Sequence, residues 1–223
     1  VKRYSLGIQN KVLQCFELSF DVSIACTFLA FSSGSTLVVS SLKGIIAVNA
    51  FKAILDYKVD FVSVAPSAVT YLVNYKLIPQ FQLPFVTTTL FTGEALPFAN
   101  VSKWKKTAKN TEVENAYGPT EVTVWSYFYK INKDTPKELI NGLCPIGEPL
   151  NGVDSKIHAE ENSSNPNKGE LWLGGKHVFE KYWNNPQKTK EVFETDDEGG
   201  KWYKTGDLVL KNENNNVVYI NRL

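Results

Sequence analysis

The chain contains no methionine and begins at Val1, a pattern expected of an internal fragment or of a sequence stripped of its methionines. In the second case long spacings would run slightly short, while contiguous motifs would be unaffected. There are three cysteines, Cys15, Cys26 and Cys144, too few and too scattered for a disulfide framework or a zinc site. Reduced and mostly buried thiols are expected instead. No stretch reaches the ~18 consecutive apolar residues of a membrane span. The most apolar region, Phe20 to Leu42, is interrupted by Asp21 and by serines and glycines. No signal-peptide pattern opens the chain, so a soluble, cytoplasmic protein without a membrane partner is expected. Charge of one sign is missing too: 24 Lys plus Arg stand against 23 Asp plus Glu, a net charge of +1. That excludes a basic field for a phosphate backbone, and a nucleic-acid partner with it. A bound anion must therefore be held by local geometry. No Gly-x-Gly-x-x-Gly follows a strand, which argues against a dinucleotide-binding oxidoreductase. Only two histidines are present, His158 in an apparent strand and His177 beside the Gly174-Gly175 turn, and both are expected to be structural or solvent-facing.

What remains is ordinary globular material. With 223 residues, 43% hydrophobic and 21% charged, the chain fits one large domain or two small lobes with a sizeable core. Ile45 to Tyr57 (IIAVNAFKAILDY) has a helical apolar period. Phe61 to Ala65 (FVSVA), closed by Pro66, predicts a buried strand, and Ser67 predicts the cap of a helix over Ala68 to Asn74. Val86 to Thr92 is β-branched and ends at Gly93, a second strand. Phe98 to Lys109 predicts a helix with a basic end. Strand and helix in alternation imply an α/β fold with a mostly parallel sheet. From about Asn141 the runs become short and Gly-rich: Ser155 to Ala159, Glu170 to Leu173, Val209 to Lys211 and Val217 to Ile220. Turn clusters at residues 161–169 and 211–216 separate them, the latter reading as a hairpin loop. The expected division is an α/β subdomain over residues 1–138 and a β-rich subdomain over 139–223, a small β-barrel or distorted sheet.

The segment richest in chemistry is Asn115 to Glu121, Asn-Ala-Tyr-Gly-Pro-Thr-Glu. Its Gly-Pro pair predicts a tight loop after a strand. An aromatic face, a hydroxyl and a carboxylate so close together can stack a base with Tyr117, donate to a phosphate with Thr120 and hold Mg²⁺ with Glu121. The plainer alternative is a Gly-Pro turn with an exposed glutamate. Asp21 is a second signal, because a carboxylate inside an apolar run is costly unless a cation pairs with it. Its plainer alternative is a cap for the helix that follows.

Tyr117-Gly-Pro-Thr-Glu121 resembles the signature loop of adenylate-forming enzymes, especially the adenylation domains of nonribosomal peptide synthetases and D-alanine carrier-protein ligases. Three further stretches are similar to that family in the same order: Phe20-Asp21-Val22-Ser23; Gly169-Glu-Leu-Trp-Leu-Gly-Gly175 with Tyr182-Trp183-Asn184-Asn185-Pro186; and Tyr203-Lys-Thr-Gly-Asp-Leu208. Pro145 to Pro149 and Gly93 to Ala95 are weaker companions. The resemblance implies the second half of a large N-terminal domain, and amino-acid adenylation: attack of the substrate carboxylate on the α-phosphorus of ATP, giving an aminoacyl adenylate and pyrophosphate.

The family's partners would be ATP, Mg²⁺, an amino acid and the phosphopantetheine thiol of a peptidyl carrier domain, in cis or in trans. Within it Thr120 and Glu121 would act at the reacting phosphates, Glu121 as metal ligand. Asp21 would pair with the substrate ammonium. Asp207 would accept from the ribose hydroxyls, with Tyr219 and Arg222 completing the nucleotide site and Asn115, Ala116 and the Gly93–Glu94 backbone flanking the adenine. The substrate side chain would meet Val22, Ala25, Ser63, Leu90, Thr92, Ala116, Val124 and Trp125, a set without charge that implies a neutral, fairly bulky amino acid. The family's phosphate-clasping loop is not found before Asp21, nor is its small C-terminal domain with an active-site lysine found after Leu223. Asn221 replaces a family glycine at the hinge, and Glu148 and Lys181 are milder departures. The alternatives are an acyl- or aryl-CoA ligase of the same superfamily, against which Asp21 argues, and a non-catalytic nucleotide-binding remnant.

Overall fold

A computed structural model describes residues 3–77, 83–159 and 165–223. The chain divides into two compact units, Val1–Asn115 and Ala116–Leu223. The compositional change near residue 138 thus falls inside the second unit, not at its start. Part of the turn cluster expected at 161–169 lies outside the described residues.

In the first unit β1 (Lys11–Gln14), α1 (Asp21–Ser33), β2 (Thr36–Val39), α2 (Ile46–Tyr57), β3 (Phe61–Val64), α3 (Pro66–Asn74), β4 (Thr88–Thr92), α4 (Phe98–Thr107) and β5 (Glu112–Tyr117) follow one another. The strands lie in the order β2-β1-β3-β4-β5, and β1–β2, β1–β3 and β3–β4 pair in parallel. β3 is buried along its whole length, which is why it reads as a continuous apolar run and not as an alternation. α2 buries Ala50, Phe51, Ala53 and Ile54, a stripe with the helical period. The parallel α/β expectation holds, and the helices and strands predicted between Ile45 and Lys109 are present with their ends moved by two residues or fewer, while β5 runs three residues into the loop expected to begin at Asn115.

One detail differs. Ser67 is not a cap: Ala65 holds that position without a side-chain bond and Pro66 opens α3, its φ already helical. The Ser67 N–H and hydroxyl both donate to Glu94, at 2.9 and 2.7 Å. A buried polar chain ties the far side of the unit together. Trp104 Nε1 donates to Thr89 Oγ1 at 2.8 Å, and Thr89 and Thr111 share a hydrogen bond of 2.9 Å.

The second unit contains β6 (Tyr127–Lys130), β7 (Glu148–Pro149), β8 (Asp154–His158), β9 (Lys168–Gly174), α5 (Pro186–Val192), β10 (Phe193–Thr195), β11 (Lys201–Lys211) and β12 (Val217–Arg222). β6 and β7 pair antiparallel. The others build an irregular antiparallel sheet, β10-β11-β9-β8, with β12 also paired to β11, the distorted-sheet form of the expected lobe. Its core gathers Val122, Tyr127, Ile146, Leu171, Leu173, Tyr203 and Val209. The asparagine run closes the β11–β12 hairpin as expected. Asn212 Oδ1 accepts the N–H groups of Asn214 and Asn216, each at 3.0 Å, and Asn215 takes the left-handed conformation at φ 64°.

Candidate active site

Cys15 to Glu17, Val64 to Ala65 and Thr92 to Glu94 lie at or just beyond the carboxyl ends of β1, β3 and β4, and all face one cavity of 490 Å³. Strand order reverses between β1 and β3, so the cavity opens at the switch point where open α/β sheets bind ligands. Of the residues expected around the substrate, Val22 and Thr92 line it, beside Gly93, Glu94, Phe20, Ile45 and Ala50. Asp21, Ala25, Ser63 and Leu90 are not among its lining residues. Ser63 and Leu90 are register partners on β3 and β4, both with no exposed surface.

Asp21 occupies the first turn of α1 and does not cap it, since Phe20 is the N-cap and no side-chain cap bond forms. Its Oδ2 and the Ser63 hydroxyl are buried without a hydrogen-bond partner among the described residues. Buried polar atoms are seldom left so, and each orphan calls for an explanation. The Glu94 carboxylate, on the cavity, accepts the Ser67 N–H and hydroxyl at the start of α3. Asn115, on β5, is buried.

The second unit brings other expected residues together. Tyr117 ends β5, and its phenol donates to Asp207 Oδ2 at 2.6 Å. Arg222, opposite Asp207 in the β11–β12 register, stands 3.4 Å from the other carboxylate oxygen. Tyr117 packs edge-on against Tyr127, ring centroids 6.3 Å apart. Its phenol is pushed well above the usual range, by burial first and then by the Asp207 charge. Asp207 is itself raised: burial dominates, opposed by the Tyr117 hydrogen bond and by Arg222. Tyr219 lies on β12, and its phenol is raised by burial and then by Asp207. Tyr117, expected only to stack a base, is therefore also the clamp on the ribose-site candidate.

The Asp207 shift carries a stability prediction. With the folded pKa above the unfolded one, this group's stabilising contribution is present below the unfolded value and lost as pH rises through the folded value. Asp207→Asn cannot ionise and escapes that loss. Its stability relative to wild type is expected to improve between about pH 4 and pH 7. Urea denaturation at both values checks this, and parallel changes in the two proteins would refute it.

Beyond Tyr117 the chain turns at Gly118-Pro119 into a short 3₁₀ turn, Thr120–Val122. Thr120 is exposed and Glu121 half-buried. Glu121 Oε1 accepts the phenol of Tyr182, and the Phe179 N–H donates to the Glu121 carbonyl at 3.0 Å. Tyr182 is pushed up to about 12, by burial and then by Glu121. Next come Thr123 and Val124, both left-handed at φ 56° and 69°. For β-branched residues these are strained conformations. Trp125 packs edge-on to Phe128 at 5.9 Å. Ala116 is buried at the end of β5. His158 and His177 are exposed, the former stacked on Trp172 at 4.4 Å.

Magnesium keeps much of its octahedral shell as water and phosphate oxygen and takes one or two carboxylates from protein. Glu121 fits that requirement: its Oε1 accepts the Tyr182 phenol, and a carboxylate has a second oxygen that could bind a metal. Among the described residues no cluster of three or more His, Cys, Asp or Glu could hold an ion by itself, so the remaining ligands would come from nucleotide phosphates. The sequence reading missed two residues of this region, Tyr182 and Glu170. Both lay inside stretches quoted for the resemblance, but nothing in their spacing announced their partners.

A parallel sheet with a cavity at its switch point marks a small-ligand α/β protein. The family described as AMP-binding enzyme matches residues 1–183, and the chain belongs to that family. It is 32% identical over 99% of its length to tyrocidine synthase 2 of Brevibacillus parabrevis, covering 6% of that protein. It is 30% identical over 100% of its length to bacitracin synthase 2 of Bacillus licheniformis, covering 8% of that one. The crystal structure of IdnL7 superposes with a TM-score of 0.90 at 28% identity, over 99% of this chain and 44% of that one. The fold is shared at TM-score 0.86 by a Vibrio cholerae adenylation domain, AlmE, solved with glycyl-adenosine-5'-phosphate (24% identity, 99% of this chain and 42% of that one). The chain thus spans a small part of the curated relatives it matches. Among the described residues no helix is long and apolar enough to cross a membrane.

Proposed function

We propose that the protein activates an amino acid with ATP, forming an aminoacyl adenylate and pyrophosphate, and loads it onto the phosphopantetheine thiol of a carrier domain in nonribosomal peptide synthesis. The observation that carries this reading is the buried, unpartnered Oδ2 of Asp21. A substrate ammonium supplies the missing partner, and a plain acyl group does not. The peptide synthetases among its relatives support the same reading.

In this mechanism the substrate carboxylate is the nucleophile. One of its oxygens bonds to the α-phosphorus, the bond to the β-phosphate oxygen breaks, and the electron pair leaves with pyrophosphate. No side-chain nucleophile is required, so the protein contributes positioning and charge complementarity. Asp21 orients the amine end, Asp207 receives the ribose hydroxyls and Tyr117 holds Asp207 in place while offering its ring to the base. Thr120 donates to phosphate oxygens. Glu121 would hold Mg²⁺, which would supply charge neutralisation at the phosphates. Of the side chains expected around the substrate, the two on the cavity, Val22 and Thr92, carry no charge, which supports a neutral amino acid.

The test is ATP–pyrophosphate exchange by the complete parent adenylation domain with pooled amino acids, compared with pooled fatty and aryl acids. Exchange with the amino-acid pool, strongest with its neutral members, is expected. Exchange driven by the plain acids would overturn the reading in favour of a CoA ligase, and silence from every pool in folded protein would favour a nucleotide-binding remnant.

A further inference from the structure

β11 pairs with β9 on either side of a gap in register. Lys204 faces Trp172 and Leu208 faces Glu170, so Thr205, Gly206 and Asp207 stand against Leu171 alone. This bulge turns Asp207 out of the ladder, a recognised use of extra strand residues beside active sites. It also removes the ladder partners of several backbone groups, which would be costly if left unsatisfied. Each of those named here is met. Thr205 Oγ1 donates to the Leu171 carbonyl at 2.7 Å and accepts the Asp207 N–H at 3.0 Å. The Gly206 carbonyl accepts the Leu223 N–H at 2.8 Å. The Gly206 N–H, in a residue at φ 70°, donates to Glu170 Oε1 at 2.7 Å.

Glu170 is held in turn. Its Oε2 accepts Trp172 Nε1 at 2.7 Å. The Trp172 indole stacks on the His158 ring at 4.4 Å, and the Lys156 ammonium lies 4.8 Å from its centroid. A bound conformation so supported has little freedom to lose. Glu170 also stands close enough to Asp207 for its charge to raise that carboxyl, an electrostatic cost that a neutral residue would avoid. The geometry gives the reason a carboxylate is nonetheless suited to the position: it alone offers two acceptors, one for the bulge and one for the indole.

We propose that Glu170 is a positioning residue for nucleotide recognition, closing the Thr205–Asp207 bulge so that the Asp207 carboxylate faces the ribose hydroxyls. The inference rests on the ribose role of Asp207 and is independent of which acid the protein activates. Losing a charge-assisted hydrogen bond of this kind changes binding by about tenfold or more.

The test measures AMP and 2′-deoxy-AMP affinities by titration calorimetry for wild type, Glu170→Ala, Glu170→Gln and Asp207→Asn. Wild type is expected to prefer AMP by about tenfold. Asp207→Asn should abolish that preference, Glu170→Ala should cut it to below about threefold, and Glu170→Gln, which keeps one acceptor, should fall between. A merely structural role would weaken both nucleotides equally and leave their ratio intact. Glu170→Ala or Glu170→Gln retaining the full ratio overturns the proposal. If circular dichroism shows the alanine variant unfolded, the glutamine variant decides it by the same ratio. Absence of any preference in wild type overturns the ribose reading itself, and the proposal with it. Neither result depends on amino-acid-driven exchange, so failure of the adenylation reading is separately visible.

Discussion

Asp21→Ala is expected to lower amino-acid-dependent pyrophosphate exchange by about a hundredfold to a few thousandfold, the effect of breaking a buried ion pair worth about 3–5 kcal/mol. The loss should fall on the Michaelis constant for the amino acid and leave that for ATP nearly unchanged. Folding should hardly suffer, because Asp21 caps nothing and its Oδ2 has no partner in the described chain. Its position in the first turn of α1 gives a favourable dipole contribution of only about 0.3–1 kcal/mol. The decisive comparison pairs the preferred amino acid with its des-amino analogue. Wild type should reject the analogue, and Asp21→Ala should treat the two alike. A variant that unfolds several degrees earlier, yet still prefers the amine, would show the carboxylate to be structural.

Gly118→Ala is expected to disable the signature loop. A Cβ at Gly118 would collide with the Val124 carbonyl oxygen and would lie 2.7 Å from Ser126 N and 2.8 Å from Trp125 Cα. All three are backbone atoms, so no side chain can swing aside. The Ser126 N–H that donates to the Tyr117 carbonyl at 2.8 Å would have to move as well. Overpacking of this sort costs about 1–3 kcal/mol, and the displaced segment carries the strained Thr123–Val124 pair. Exchange should be lost, and the urea midpoint should fall. A variant within about 0.5 kcal/mol of wild type, in the range of a neutral surface change, would refute the close approach.

The sequence made the first unit legible where one period dominated. The β-branched run at Phe61–Val64 and the amphipathic stretch at Ile46–Tyr57 each have one strong signal, and the structure follows them. α1 enters the sequence only as an unbounded helix after Asp21, because residues 21–33 place apolar side chains on every face and leave no 3.6-residue contrast. Gly34, left-handed at φ 71°, was the available stop signal. β11 is legible only at Val209–Lys211, because its buried positions keep a period of two through Thr205 and Asp207 but carry polar side chains there, so no apolar alternation marks the strand. In the candidate site, the local group Tyr117–Glu121 was visible as a set of chemical types. Its partners were not: Tyr182 lies sixty-one residues from Glu121 and Asp207 ninety from Tyr117. Such pairings are made by tertiary structure alone.

That ninety-residue hydrogen bond also bears on how the protein comes into being. During synthesis the phenol of Tyr117 emerges long before its acceptor, and the clamp cannot close until β11 has been made and paired. Long-range closure of this kind is reached late, after local elements have formed. On the proposed reading, nucleotide would therefore find its ribose site incomplete on a nascent chain and would act only on a second unit with β11 in place. There, at a hundred times its dissociation constant, it would add about 2.7 kcal/mol to the folded state. AMP in a refolding mixture should accordingly trap completed molecules and leave the rate of early collapse unchanged.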